Sequence, residues 1–172
     1  MVFRFLSLVF GFIIFSSNAT IIKPTSVKSS VSGYGYIEKI GGRLVEDKST
    51  ITNLANTDFK INILKKNTWL IPNKIGTGFI IFVDFSSIPK YIESFNLQVT
   101  YPEMKLPLGE TRSVINRKID IHGHNGNYQW FFDFYFDFPY ETTPGDWKIK
   151  IFSEDDLIHS SIFKVVDHEK GN

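Results

Sequence analysis

The sequence predicts an all-β protein, an antiparallel β-sandwich of seven to nine strands. Segments rich in β-branched and aromatic residues recur at short intervals, and most alternate apolar and polar residues with a period of two. Turn-forming Gly, Pro, Asn and Asp residues separate these segments. Helix signals are nearly absent, because the one candidate helix, residues 87–94, contains Pro89, which limits it to a turn or two.

The sequence pattern predicts different degrees of burial for the first strands. Residues 34–38 begin the folded part, and residues 59–63 alternate as a half-buried strand should. Residues 78–85 are apolar on both faces for most of their length, which predicts a central strand covered on both sides. The remaining strands are predicted at 95–100, 114–121, 128–138, 147–152 and 158–166.

Turn chemistry predicts how the later strands connect. Residues 122–127 hold two Gly and two Asn, and we expect a hairpin loop there. Residues 143–146 form a Pro-Gly turn, after which Trp147 begins a strand whose alternate residues face the core. Residues 153–156 join the last two strands.

The segment 128–138 is the most aromatic part of the chain. Alternation assigns one face to the core and the other to water. The core face would carry Tyr128, Trp130, Phe132, Phe134, Phe136 and Phe138, and the water face Gln129, Phe131, Asp133, Tyr135 and Asp137. Asp133 and Asp137 do not form a glycosidase pair, because four residues of strand separate them by roughly 13 Å and such pairs lie about 5–9.5 Å apart.

The N-terminus has the pattern of a secretory signal peptide. A short basic start, the apolar run 5–15 and small residues up to Ala19 predict cleavage after Ala19 and a secreted or periplasmic protein. The run is too short for a membrane span, which needs about 20 apolar residues, and no transmembrane span is expected after cleavage. We therefore divide the 172 residues into a signal peptide (1–19), a flexible leader (20–32), one sandwich domain (33–167) and a C-terminal tail (168–172).

Charge and cysteine content exclude several functions. Lys and Arg total 19 and Asp and Glu total 18, and Arg4 within the signal peptide supplies the excess, so no basic field favours nucleic acid. The absence of Cys excludes disulfides, thiol nucleophiles and thiolate metal sites. Hydrolase and phosphate-binding motifs are missing, and we expect no cofactor and no catalytic residues.

Two groups of residues are candidate sites. Asp120, His122 and His124 have the spacing of metal ligands on one strand face, although the neighbouring glycines favour a polar turn. Four aromatic residues are expected in loops or at strand ends, where rings can bind a ligand. These are Trp69, Tyr91, Tyr101 and Tyr140.

Three segments in order resemble a known bacterial family. They are Tyr34-Gly35-Tyr36, the stretch 71–79 with Ile-Pro and Gly-Thr-Gly-Phe, and the Pro-Gly-Asp-Trp strand at 144–151 followed by 161–166. Over residues 34–166 the chain is similar to the family catalogued as domain of unknown function 3859. The resemblance implies an exported, immunoglobulin-like β-domain and carries no activity or catalytic residues.

Three functions remain open at this point. The first is a non-catalytic binding or assembly module of the bacterial cell envelope, with an envelope protein or glycan as partner. The second is a carbohydrate- or lipid-binding module, which requires exposed aromatic rings. The third is a metal-dependent enzyme using His122 and His124.

Overall fold

The computed structural model describes residues 26–48, 50–107 and 109–168, and the predicted signal peptide lies outside them. Within these residues the chain forms nine strands and one short 3-10 helix at Pro139–Glu141. The strands are β1 (Lys28–Glu46), β2 (Leu54–Lys66), β3 (Leu70–Pro72), β4 (Thr77–Ser86), β5 (Ser94–Lys105), β6 (Thr111–Asp120), β7 (Asn127–Tyr135), β8 (Gly145–Ser153) and β9 (Asp156–Val166). The all-β prediction of seven to nine strands is confirmed.

The strands form two sheets that pack face to face. One sheet has the order β2-β1-β4-β7 and the other the order β3-β9-β8-β5-β6. All strand pairs are antiparallel except β3 with β9, which is parallel. The short β3 was not expected from the sequence, because three residues give no periodicity.

The core lies between the sheets and is largely aromatic. Trp147 is fully buried and packs on Phe79, Phe134 and Tyr101, with ring centroids 5.3, 4.3 and 4.9 Å away. The central position predicted for residues 78–85 is confirmed, because β4 lies between β1 and β7 and most of its residues are buried. A chain with no Cys is thus held together by packing of large rings.

The first strand begins earlier than the sequence suggests. Residues 28–32 were expected to belong to a flexible leader, but they pair with β4 from Lys28 opposite Ser86. Val27 is buried, and the Ser29 hydroxyl donates to the Ile158 carbonyl oxygen. The polar composition of this segment hid the strand, because β1 is polar where it faces solvent.

The hairpin of β1 and β2 leaves the plane of its sheet. Gly41 and Gly42 have φ values of 71° and 91°, a conformation that strongly favours glycine. The bend places Phe59 of β2 against Tyr135 of β7, with ring centroids 5.3 Å apart, although two strands separate β2 from β7. The prediction that 59–63 is half-buried is wrong beyond Phe59, because Ile61 and the residues after it are exposed.

The outer face of β7 is not the water-facing surface that alternation predicted. The core face is as expected, with Trp130, Phe132 and Phe134 buried. On the outer face, however, Tyr135 is only 6% exposed and joins a small cluster with Ile80, which Phe59 helps to cover. The strand ends at Tyr135 rather than at residue 138, and the 3-10 helix follows.

Two local predictions are also corrected. Residues 122–127 do not close a hairpin within a sheet, since β6 and β7 belong to different sheets and the loop crosses between them. The predicted helix at 87–94 is absent: residues 87–93 form bends and turns, with the Ile92 N–H donating to the Pro89 carbonyl oxygen, and residue 94 begins β5. No helix in the described part of the chain is long and apolar enough to cross a membrane.

Candidate binding groove

A groove of about 470 Å³ opens at one side of the sandwich, along the edge strand β7. This volume lies within the usual range for ligand sites. The β7 wall includes Trp130, Phe131, Phe132 and Asp133, and the opposite wall includes Leu97, Ile115 and Arg117 of β5 and β6. Residues 50–52 of the β1–β2 turn and residues 54–56 at the start of β2 close one end. We call this site the β7 groove.

The backbone of β7 has an unpaired side that faces the groove. Within the described residues β7 pairs with β4 alone. The register is continuous, from Gly78 opposite Tyr135 to Ser86 opposite Asn127. The Phe136 N–H donates to the Thr77 carbonyl oxygen. Because N–H and C=O groups change sides at each residue of an antiparallel strand, the even-numbered residues of β7 direct theirs toward β4. Residues 129, 131, 133 and 135 therefore direct theirs to the open side.

Side chains on both faces of β7 border the groove. Phe131 is 54% exposed on the outer face, where its ring centroid lies 5.9 Å from that of Phe82. Tyr135, on the same face, has a buried hydroxyl beside the Asp133 carboxyl, with which it interacts. The neighbouring rings of Phe131 and Phe82 form an apolar patch at this edge, and exposed apolar patches mark interaction surfaces.

Asp133 is a charged residue of β7 that lines the groove. Burial raises the pKa of its carboxyl, although the nearby Tyr135 hydroxyl, its own backbone N–H and Arg117 act in the opposite direction. No ion pair within the described residues includes Asp133. A cationic group from outside would therefore stabilise its charged form.

A polar cluster closes the end of the groove near the 3-10 helix. Lys39 forms an ion pair with Asp137, whose other oxygen accepts a hydrogen bond of 2.8 Å from the Asn56 amide. Glu141 is almost fully buried, accepts hydrogen bonds from the backbone N–H groups of Asp137 and Phe138, and its pKa is raised by burial to about 7. These contacts tie the β1–β2 hairpin to the end of β7.

The turn between β1 and β2 is anchored on the other sheet. Arg112 of β6 donates to the Ile51 carbonyl oxygen at 3.1 Å and to the Asn53 side-chain oxygen at 3.2 Å. Ile51 is buried in the main core. The turn thus spans the gap between the two sheets and gives the groove a fixed end.

The four predicted aromatic candidates do not form one site. Trp69 stacks on Tyr34 with centroids 3.8 Å apart, and Tyr140 stacks on Phe138. Tyr101 lies inside β5 and is buried against Trp147, so its placement in a loop or strand end as an exposed ring is wrong. Tyr91 is 76% exposed but stands alone, and no ring contact among the described residues joins any two of the four.

The predicted metal candidates serve the turn after β6. The Asp120 carboxylate accepts from the His122 backbone N–H at 2.9 Å. Both ring nitrogens of His124 are hydrogen-bonded, one to the Ile92 carbonyl oxygen and the other to the Gly126 N–H. In the described ranges no three His, Cys, Asp or Glu side chains are grouped as metal ligands.

The sequence did contain one signal for the groove that our reasoning missed. Phe131 occupies a face of β7 assigned to water, and beside Phe82 of β4 it forms an exposed apolar patch of the kind that marks interaction surfaces. The pairing of Phe59 with Tyr135 carries no signal of this kind, because it depends on the bend in β1. Asp133 is a second surprise, since its surroundings are more apolar than expected of a water-facing carboxylate.

Comparison with known proteins is consistent with this fold. Residues 27–165 match the family described as Domain of unknown function (DUF3859). One similar solved structure is that of an immunoglobulin-like protein from Pseudomonas aeruginosa, 19% identical, with a TM-score of 0.56, covering 83% of this chain and 98% of that chain. No curated protein shows significant similarity to the chain. The immunoglobulin-like sandwich expected from the sequence is confirmed.

Proposed function

This chain belongs to the DUF3859 family, whose function is not established, and on that premise we propose that it is a non-catalytic binding module of the bacterial cell envelope that holds a protein partner in the β7 groove. The fold alone does not decide this, because immunoglobulin-like sandwiches host many functions. The observation that carries the proposal is an apolar groove beside a strand edge that pairs with no other strand in the described part of the chain.

The arrangement of side chains supports binding rather than chemistry. Two of the carboxylates at the groove serve the fold: Asp137 pairs with Lys39 and Asn56, and Glu141 caps the backbone after β7. The exposed ring of Phe131 and the apolar floor at Leu97 and Phe132 offer burial to a partner instead. Burying such surface is the main favourable term in protein association.

The cellular setting follows from the N-terminal sequence. The predicted signal peptide, with cleavage after Ala19, supports export across a membrane. The family resemblance supports a bacterial envelope as the destination. A partner would then be an exported protein or the extracytoplasmic part of a membrane protein.

Site-specific photocrosslinking in the native host tests this function. A benzoylphenylalanine in place of Phe131 reports on the groove, and the same residue in place of Ile162, which is 47% exposed on β9, is the matched control. We expect one or two recurrent envelope proteins to crosslink from position 131 and not from position 162. Equal capture from both positions, or no capture from position 131 while the protein is folded and exported, contradicts the proposal.

A further inference from the structure

We propose that the partner enters the β7 groove as an extended polypeptide segment that adds a strand to β7, with a Lys or Arg side chain beside Asp133. This inference rests on the proposed function and names the chemistry of the partner. Addition of a strand to an exposed sheet edge is a general mode of peptide recognition, in which backbone hydrogen bonds give affinity and side-chain pockets give specificity.

The first argument is the contrast among the four edge strands that the described residues form. Natural sheet edges are protected by lysines, prolines, inward charges or short length. The other three edges have such features: β2 has Lys60, Lys65 and Lys66, β6 has Arg112, Arg117 and Lys118, and β3 has three residues ending in Pro72. The nine residues of β7, NYQWFFDFY, contain no Lys, Arg, Pro or Gly, and Asp133 is their one charged residue. This edge is open to pairing.

The second argument is the match between the groove and an extended chain. The outward N–H and C=O groups of residues 129, 131 and 133 repeat every two residues, which is the spacing that a neighbouring strand satisfies. Side chains of an added strand would alternate between the two faces of the sheet. One set would pack on the inner side against Leu97 and Phe132, and the other would lie beside Phe131 and Asp133.

The third argument is charge. Arg117 of β6 lies near enough to attract the Asp133 carboxylate, but no ion pair within the described residues includes Asp133, while Asp137 already has Lys39. A Lys or Arg of the added strand, on the outer face and opposite Asp133, would supply a directly paired cation. Opposite charges directly across a strand pair are stabilising, and like charges are not. The expected segment therefore alternates apolar residues with polar ones and carries a central basic residue.

A synthetic peptide probes this directly. The probe is an acetylated and amidated nine-residue peptide, Thr-Val-Thr-Val-Lys-Val-Thr-Val-Thr, labelled with fluorescein and titrated with the mature protein by anisotropy. Two further versions are N-methylated at the amides of either the even or the odd positions. Because alternate amides of a strand point to opposite sides, we expect one methylated version to lose binding at least tenfold and the other to retain it. Equal effects of the two methylation patterns, or no binding by the parent peptide, overturn the inference.

Charge exchange tests the position of the basic residue. Replacing the peptide Lys by Glu is expected to weaken binding about fivefold, and Asp133→Lys is expected to reverse the order of the two peptides. Asp146→Lys, on an exposed position of β8, is the matched control and should leave the order unchanged. If Asp133→Lys also leaves the order unchanged, the assignment to Asp133 is wrong.

Two outcomes separate this inference from the proposed function. Capture of a recurrent partner at position 131 by crosslinking, combined with peptides that do not bind, keeps the binding function and overturns strand addition. Sedimentation of the free protein as a dimer that Phe131→Glu converts to a monomer would show that a second copy occupies the edge, which also overturns the inference. A monomer that binds the parent peptide with one-sided sensitivity to methylation supports it.

Discussion

Truncation of Trp147 is the most direct test of how this sandwich is stabilised. The indole is fully buried and contacts the rings of Phe79, Tyr101 and Phe134, at the centre of the interface between the two sheets. Trp147→Ala removes that packing and leaves a cavity, and such deletions cost about 3–5 kcal/mol of unfolding free energy. For a domain of this size, each kcal/mol corresponds to about 3 °C of melting temperature, so a fall of about 10–15 °C is expected.

The assay is urea unfolding followed by far-UV circular dichroism, because backbone signal does not depend on the deleted indole. Tyr91→Ala is the matched control, since it removes an aromatic ring that is 76% exposed and should change stability by less than about 0.5 kcal/mol. Trp147→Phe is expected to fall between the two, because the indole N–H meets no hydrogen-bond partner among the described residues and its loss leaves nothing unpaired. A loss below about 1 kcal/mol for Trp147→Ala refutes the assignment of this ring to the core.

Three further substitutions have defined outcomes in the same urea unfolding assay. Tyr101→Phe should raise the unfolding free energy by about 1 kcal/mol, because the buried hydroxyl has no partner within the described residues; a loss of stability contradicts this. Lys39→Met should cost about 3 kcal/mol by leaving the Asp137 carboxylate buried without its cation, and adding Asp137→Leu should recover part of it; additive losses argue against the pair. The pKa of Glu141 is raised from 4.5 to about 7, so the folded state holds this proton more tightly than the unfolded state. The unfolding free energy should then fall by up to about 3 kcal/mol as the pH rises from 4.5 to 7, and Glu141→Gln should flatten this pH dependence. If Glu141→Gln leaves the pH dependence unchanged, Glu141 is not its source.

The core side of the sandwich was predictable because it depends on local alternation. Trp130, Phe132 and Phe134 recur every second residue, and that period is enough to assign them to one buried face. The same rule, continued along β5 from Val99, would have placed Tyr101 in the core rather than in a loop. Tyr101 continues the alternation of buried residues in β5 and does not end the strand.

The outer face of β7 was not predictable from its own sequence. Whether Tyr135 meets water depends on Phe59, which reaches it only because β1 bends at Gly41 and Gly42. A glycine pair indicates that a bend is permitted but not its direction, which the contacts of Lys39 with Asp137 and of Arg112 with the turn help to fix. These are long-range contacts, and periodicity reports only on local structure.

The candidate site, like the outer face of β7, depends on long-range contacts that local sequence patterns do not report. The histidine and aromatic candidates were chosen by residue type, and the structure uses His124 for a turn and Trp69 for packing. The β7 groove instead arises where two sheet edges and a hairpin meet, with Phe131 as its one visible sign in the sequence. Residue type alone therefore gave no account of where a partner would bind.

Amide hydrogen exchange, measured residue by residue by NMR, tests the central claim most directly. In the free protein the amides of Phe131 and Asp133, which face the open edge, should exchange faster than those of Phe132 and Phe134, which are bonded to β4. Saturation with the nine-residue peptide, or with the crosslinking partner, should slow exchange at Phe131 and Asp133 at least tenfold and leave Phe132 and Phe134 unchanged. Binding that leaves the exchange of Phe131 and Asp133 unaltered would contradict the account.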